Sequence, residues 1–329
     1  MKITIIGDGG WGTAAAILLH GYGHTVTLWG PFADYLEEMR GARENSRYLP
    51  GVTLPGGLAW TADPACAAAQ AECVILAVPS KFYAGVCARF AGHLPAKAMV
   101  VSLTKGLCEK THRRMSELAI GLLDVPSVAV LSGPSHAEEV ARGIPTAVVA
   151  AAAEEALAKQ VQDLFNGPRF RVYTSTDPLG VELGGAIKNV IALAVGASDG
   201  LGFGDNTRAA IITRGLAEMT RLGVALGARP ETFAGLSGIG DLIVTCTSRH
   251  SRNHAVGERL GRGEPIGAIL DGMKMVAEGV WNAKAVRDTA RACGVEVPIA
   301  EEVCRWCYEG ATPRDSVDCL MSRDRKAEA

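Results

Sequence analysis

The sequence lacks several features, and each absence narrows the reading. No uninterrupted apolar run is long enough to span a bilayer, so no transmembrane helix is expected. Neither sign of charge dominates: 33 basic and 35 acidic residues leave a formal net charge of −2, which removes the electrostatic argument for a nucleic-acid or polyanion partner. The first apolar run begins at Ile3, leaving no room for a signal peptide. Metal-ligand clusters are also missing. His250 and His254 are four apart, but no glutamate lies between them and no third ligand is evident, so a solvated or substrate-facing role is the better reading. Cys304 and Cys307 have redox or metal spacing without a second cysteine pair. The nine cysteines are odd in number and sit mostly in apolar segments, such as Cys73, Cys87 and Cys246. That usage suits reduced thiols in a cytosol rather than a disulfide framework, and the expected location is cytoplasmic. No internal repeat or low-complexity tract is present.

What is present is organised around Lys2 to Gly12, KITIIGDGGWG. An apolar β-branched run (Ile3, Ile5, Ile6) stops at Gly7, and a helix-like stretch starts at Thr13. Gly7-x-Gly9-x-x-Gly12 between a strand and a helix is the context a dinucleotide-binding turn requires. The first glycine permits the turn, the second lets backbone approach a pyrophosphate, and the third lets helix pack on strand. The helix N-terminus then offers unpaired N–H groups and a positive dipole end to phosphate.

At 329 residues the chain exceeds one ordinary core, so two domains are expected. Strands are predicted at 25–29, 73–78, 98–103, 127–131, 146–150 and 170–174, and helices around 63–71, 81–92, 111–122 and 153–165. This alternation implies a doubly wound, mainly parallel α/β sheet. The strand at 25–29 ends in Trp29-Gly30-Pro31, with neither the acid that bonds a ribose 2′-OH in NAD domains nor an arginine for a 2′-phosphate. NAD against NADP therefore stays open, with Asp34, Arg40 and Arg43 nearby in sequence. Asn45 to Pro55 is rich in turn residues and reads as a surface excursion. At Asp177-Pro178, an N-cap followed by a first-turn proline, the character changes. Helical patterns follow at 184–195, 207–226, 256–262, 281–293 and 298–308. The boundary is placed near 176, giving domains 1–176 and 177–329, the second all-helical. Residues 322–329 read as frayed and solvated.

Several residues could carry chemistry. Lys188 lies in an apolar helix, where an unpaired ammonium is costly; it is either catalytic or paired with a buried carboxylate. Asp241 after Gly240 is either a helix N-cap or that carboxylate. Lys105 sits at a strand tip where a ligand would lie, or is an ordinary loop lysine. Ser248 to Asn253 concentrates donors suited to phosphate, or is a solvated loop. Glu278 could bond a ribose or amide, or be a surface acid.

Taken in order, Gly7-x-Gly9-x-Trp11-Gly12-Thr13, Val78-Pro79-Ser80, Thr104-Lys105-Gly106-Leu107, Ser132-Gly133-Pro134-Ser135, Gly185-Ala186-x-Lys188-Asn189, Asn206-Thr207-Arg208-Ala209, Ile212 to Glu218, Gly240-Asp241-Leu242, Ser251-Arg252-Asn253 and Glu278-Gly279 resemble the bacterial NAD(P)-dependent glycerol-3-phosphate dehydrogenases over essentially the whole length. The resemblance implies a Rossmann-type domain followed by a helical substrate domain. It implies reduction of dihydroxyacetone phosphate to sn-glycerol 3-phosphate with NAD(P)H, for phospholipid synthesis, and no metal. By position, Lys188 would be the general acid and base, with Asp241 and Lys105 beside it. Gly133, Ser135, Ser251, Arg252 and Asn253 would complete the substrate site with those three. Gly7, Gly9, Gly10, Trp11, Gly12, Lys105, Ala137, Arg252, Val276 and Glu278 would contact the dinucleotide. Where the family often has a basic residue after the second strand's tryptophan, this chain has Gly30-Pro31. Two other readings remain: a two-domain dehydrogenase for a different hydroxy acid or nucleotide sugar, and a non-catalytic NAD(P) sensor. A homodimer is the base-rate expectation.

Overall fold

The β-branched runs and the helices between them build one sheet with helices on both faces. The structure, a computed structural model, describes residues 1–273, 275–325 and 327. Its strands are β1 (Lys2–Ile6), β2 (Thr25–Trp29), β3 (Glu44–Asn45), β4 (Leu49–Thr53), β5 (Ala59–Thr61), β6 (Cys73–Leu76), β7 (Met99–Ser102), β8 (Ala129–Ser132), β9 (Thr146–Ala151) and β10 (Phe170–Ser175). Eight of them form one sheet in the order β10-β9-β8-β7-β6-β1-β2-β5. All neighbours in it are parallel except β8 and β9. The chain winds one way from β1 and then, at β6, the other way. Loops at the C-terminal ends of β1 and β6 therefore flank a topological switch point, where such sheets bind ligands.

The helices of this part are α1 (Gly10–Gly21), α2 (Ala33–Ala42), α3 (Pro64–Ala68), α4 (Ser80–Phe90), α5 (Met115–Leu123), α6 (Ala137–Ala141) and α7 (Glu155–Phe165). Side chains alternate across the sheet. Ile3 and Ile5 join a core with Ala15 and Leu19 of α1, while Ile6 joins a second core with Tyr83 and Phe90 of α4.

Helices follow: α8 (Pro178–Gly200), α9 (Asp205–Ala225), α10 (Pro230–Phe233), a π-helical turn at Leu236–Gly240, α11 (Asp241–Thr247), α12 (Arg252–Gly261), α13 (Ile266–Asp271), α14 (Glu278–Ala292), α15 (Pro298–Tyr308) and α16 (Pro313–Met321). Among the described residues no strand follows Ser175. Asp177 caps α8 by accepting from the Gly180 N–H at 2.9 Å, and its other oxygen accepts from Thr232 at 2.6 Å. Helices α9, α10, α11, α12, α14 and α15 pack against α8, while α13 rests on α12 and α16 on α12 and α15. Gly196 and Gly257 let α8 and α12 approach so closely that a side chain at either would strike the other helix's backbone.

One expectation is refined by the structure and two need correction. First, α8 is long and apolar enough to cross a membrane by length and composition, yet 94% of that window is buried inside the molecule. It is the central core helix, and its scattered glycines and single Lys188 hid its length in the sequence. Second, the Asn45–Pro55 segment is not a surface excursion. It forms the β3–β4 hairpin, with Asn45, Leu49, Val52 and Leu54 buried, and leads into β5 at the sheet edge. Third, the helix expected at 111–122 starts only at Met115, because Leu107 bridges to Arg114 and His112 is left-handed at φ 56° between them. At the C-terminus, residues 322–325 and 327 are exposed, and the rest of that expectation lies outside the described residues.

Candidate active site

The glycine turn joins β1 to α1. Gly7 has φ +121°, and a side chain there would run into the Ala77 carbonyl; one on Gly12 would run into the Gly7 carbonyl. The fold itself demands those two glycines. Gly9 differs: a Cβ built on it would meet nothing within 4 Å. Its backbone faces open space in front of α1, whose first turn has no side-chain cap and no acidic residue. Uncapped N–H groups facing an open approach fit a pyrophosphate. Trp11 adds a buried indole N–H with no partner among the described residues. Gly10 lies against the Tyr48 carbonyl, and its Cβ would be 3.6 Å from that of Ala137. Asn45 braces the turn, donating to the Asp8 carbonyl at 2.8 Å and to Thr13 Oγ1 at 2.7 Å.

Beside this turn the tips of β7 and β8 meet α8 and α11. The loop after β7 is tied down by Thr104 donating to the Val78 carbonyl at 2.7 Å and by Leu107 N–H donating to Asn282 Oδ1 at 3.1 Å. Lys105 Nζ then reaches the Gly133 carbonyl at 2.9 Å and Asp241 Oδ2 at 2.7 Å. Lys188 Nζ, from α8, donates to Asp241 Oδ1 at 2.6 Å and to Thr245 Oγ1 at 2.8 Å. Gly185 on α8 makes room for the Lys105 side chain. Asp241 begins α11, but its side chain does not cap that helix. Of the two roles open to Asp241, the structure gives it the ion pair.

Burial alone would push the Asp241 carboxyl up; the two ammonium groups outweigh it and hold Asp241 below the usual carboxylate range. Burial also pushes Lys188 down to about 8, opposed by Asp241 and reinforced by Lys105. Two ammoniums on one carboxylate leave net positive charge, which favours an anionic ligand. His136 lies in the same field: burial lowers it first, and Lys188 and Lys105 lower it further.

The rim is assembled from α12 and α14. Ser251 caps α12, accepting from the His254 N–H at 3.2 Å. Arg252 is exposed and donates to the Val276 carbonyl at 2.7 Å. Asn253 is used internally: its amide donates to Asn189 Oδ1 at 2.9 Å, and its carbonyl accepts from the Gly279 N–H at 2.8 Å. Glu278 accepts from the Ser80 N–H at 2.9 Å and from the Ser80 hydroxyl, clasping α14 to the start of α4. Ser135 donates to the Gly133 carbonyl at 2.9 Å. Thus Lys105, Gly133, Ser135, Lys188 and Asp241 come together, and Asn253 joins them through Asn189. Arg252, Val276 and Glu278 line the neighbouring edge.

Thr245, Asn282 and His136 were missed in the sequence. Thr245 had a usable signal, since it lies one helical turn after Asp241 on the same face. His136 and Asn282 had none. The histidine pair separates: His254 bonds Asp199 at 2.7 Å, while the His250 ring faces His136 at 5.8 Å. Cys304 and Cys307 are buried in the helical core, where burial pushes both thiols up, Cys307 to about 12. Among the described residues no group of three or more His, Cys, Asp or Glu side chains could hold a metal.

The chain matches the models of two halves of one family: the NAD-dependent glycerol-3-phosphate dehydrogenase N-terminus over residues 2–158 and its C-terminus over residues 177–318. It is similar to a glycerol-3-phosphate dehydrogenase [NAD(P)+] of Geobacter sp. strain M21, 51% identical over 99% of this chain and 98% of the relative. The corresponding protein of Moorella thermoacetica is 50% identical over 99% of this chain and 97% of that relative. A crystal structure of glycerol-3-phosphate dehydrogenase from Coxiella burnetii superposes with a TM-score of 0.94 at 39% identity, covering 98% of this chain and 99% of that one.

Proposed function

The chain belongs to the NAD-dependent glycerol-3-phosphate dehydrogenase family, and from that premise we propose how its own residues carry the reaction. The reaction is the NAD(P)-dependent interconversion of dihydroxyacetone phosphate and sn-glycerol 3-phosphate. Its product feeds phospholipid synthesis.

The observation that carries the assignment is the buried Asp241 carboxylate bridging Lys188 and Lys105. When bound, the nicotinamide supplies or accepts the hydride. Gly7, Gly9, Gly10, Trp11 and Gly12 hold the dinucleotide through backbone, with Ala137, Val276 and Glu278 around it. Lys188 Nζ points its ammonium at the carbonyl oxygen, stabilises the negative charge that develops there and gives up a proton. In the reverse direction, neutral Lys188 takes that proton back. Asp241 fixes the direction of the ammonium and keeps it charged despite burial. Thr245 holds a second Nζ contact and so limits its swing. Lys105 adds positive charge next to substrate and cofactor alike. Arg252 and Ser251 bind the substrate phosphate, assisted by Asn253, Gly133 and Ser135.

The division between cofactor and substrate domains falls near residue 176, between the end of β10 and the start of α8. The protein works in the cytoplasm as a homodimer. The direct test is spectrophotometric oxidation of NADH and NADPH with and without dihydroxyacetone phosphate. Substrate-dependent oxidation is expected. Its absence with both cofactors, in folded protein, would overturn the assignment.

A further inference from the structure

The end of β2 offers no side chain to a cofactor ribose, because Gly30 and Pro31 stand where an acid would serve NAD or an arginine NADP. Two arginines near in sequence, Arg40 and Arg43, are engaged elsewhere. Arg40 pairs with Glu37, and Arg43 donates to the Leu54 carbonyl at 3.0 Å.

An acid from a different element fills this gap. Asp8 lies in the glycine turn after β1, and its carboxylate rests against Gly30: a Cβ built on Gly30 would sit 2.5 Å from Asp8 Oδ2. The absence of a side chain at Gly30 is what admits it. Asp8 is 8% exposed, and its Oδ2 is enclosed without a hydrogen-bond partner among the described residues. Its main-chain carbonyl, by contrast, is satisfied by Asn45 at 2.8 Å. A buried carboxylate oxygen left unpaired is costly, and a ligand donor would remove that cost.

We propose that Asp8 selects NAD(H) over NADP(H), its carboxylate accepting a hydrogen bond from the adenosine ribose 2′-hydroxyl and repelling a 2′-phosphate. The inference rests on the reading that Gly7–Gly12 holds the dinucleotide. A hydroxyl has a proton to donate to Oδ2. A phosphate brings like charge to the same spot. The nearby cation is Arg47, whose guanidinium stacks 4.0 Å over the Tyr35 ring. A cation this close to Asp8 would argue for NADP(H), so Arg47 belongs in the test.

The experiment measures dissociation constants of NADH and NADPH by titration calorimetry, without substrate, for the intact wild-type chain and for Asp8→Ala, Asp8→Asn and Arg47→Ala. Wild type is expected to bind NADH at least about tenfold tighter than NADPH, the scale of a hydrogen bond to a charged group. Asp8→Ala should lose most of that preference by weakening NADH. Asp8→Asn, nearly isosteric and still an acceptor, should gain NADPH affinity while largely keeping NADH. The inference is overturned if wild type prefers NADPH. It also falls if the preference survives Asp8→Ala or shifts only in Arg47→Ala. If folded wild type binds neither dinucleotide, the reading of the glycine turn falls, and this inference with it.

Discussion

The two sides of the cleft are built from different materials. The sheet side presents mostly main chain to the proposed site: a glycine turn, an uncapped helix end and the carbonyl of Gly133. The helical side presents side chains to it: Lys188 and Asp241 from α8 and α11, Arg252 from α12 and Glu278 from α14. Lys105 and Asp8 are the exceptions: Lys105 is sent from the sheet across to Asp241, and Asp8 lies in the glycine turn against Gly30. Backbone sites suit a ligand part that is always the same, such as a pyrophosphate. Charged side chains held in a dry helix cluster suit a step in which charge appears and disappears. Binding and chemistry should therefore be separable by substitution.

The largest separation is expected at Lys188. Lys188→Ala should lower kcat by about a thousandfold, the scale of a positioned acid–base group, with NADH affinity nearly intact. Retained turnover would remove the proton-transfer role. Parallel loss of NADH binding would erase the distinction between the two sides.

Arg252→Ala should follow. Removing one charged phosphate contact is expected to raise the KM for dihydroxyacetone phosphate by roughly ten- to a hundredfold, with a smaller change in kcat. An unchanged KM would exclude Arg252 from the phosphate site.

Gly9→Ala tests the opposite side. The added methyl meets no protein atom, so the melting temperature should stay within a few degrees of wild type. Dinucleotide affinity should fall by about tenfold because the methyl occupies the approach to the phosphates. A lowered melting temperature with unchanged affinity would mean that Gly9 serves the fold rather than the dinucleotide.

The same difference decides what the sequence could reveal. The glycine turn is local, so Gly7, Gly9 and Gly12 carried their own context between a β-branched run and a helix. The parallel sheet was legible because buried strands such as Cys73–Leu76 are continuous apolar runs. Lys188 and Asp241 were each noticeable as charges in apolar or glycine-rich surroundings. Their contact, across 53 residues of chain, depends on how α11 packs on α8, which no local pattern encodes. The β3–β4 hairpin was misread because its turn residues outnumber its apolar ones; the buried amide of Asn45, which holds it to the glycine turn, looks in sequence like any loop asparagine. Asp8 was passed over as the variable position inside a glycine pattern, and only Gly30 lying against it gives it significance.

If Lys188 exchanges the substrate's proton, its burial-lowered pKa makes that exchange directly measurable. The measurement is the single-turnover hydride-transfer rate against pH in both directions. Lys188 must be protonated to reduce the ketone, so the reduction rate should be level at lower pH and decline as pH rises through about 8. It must be neutral to oxidise the alcohol, so the oxidation rate should climb through the same region. Mirror-image profiles with a shared midpoint are expected; rates in both directions that pass through that region unchanged would remove Lys188 from proton transfer.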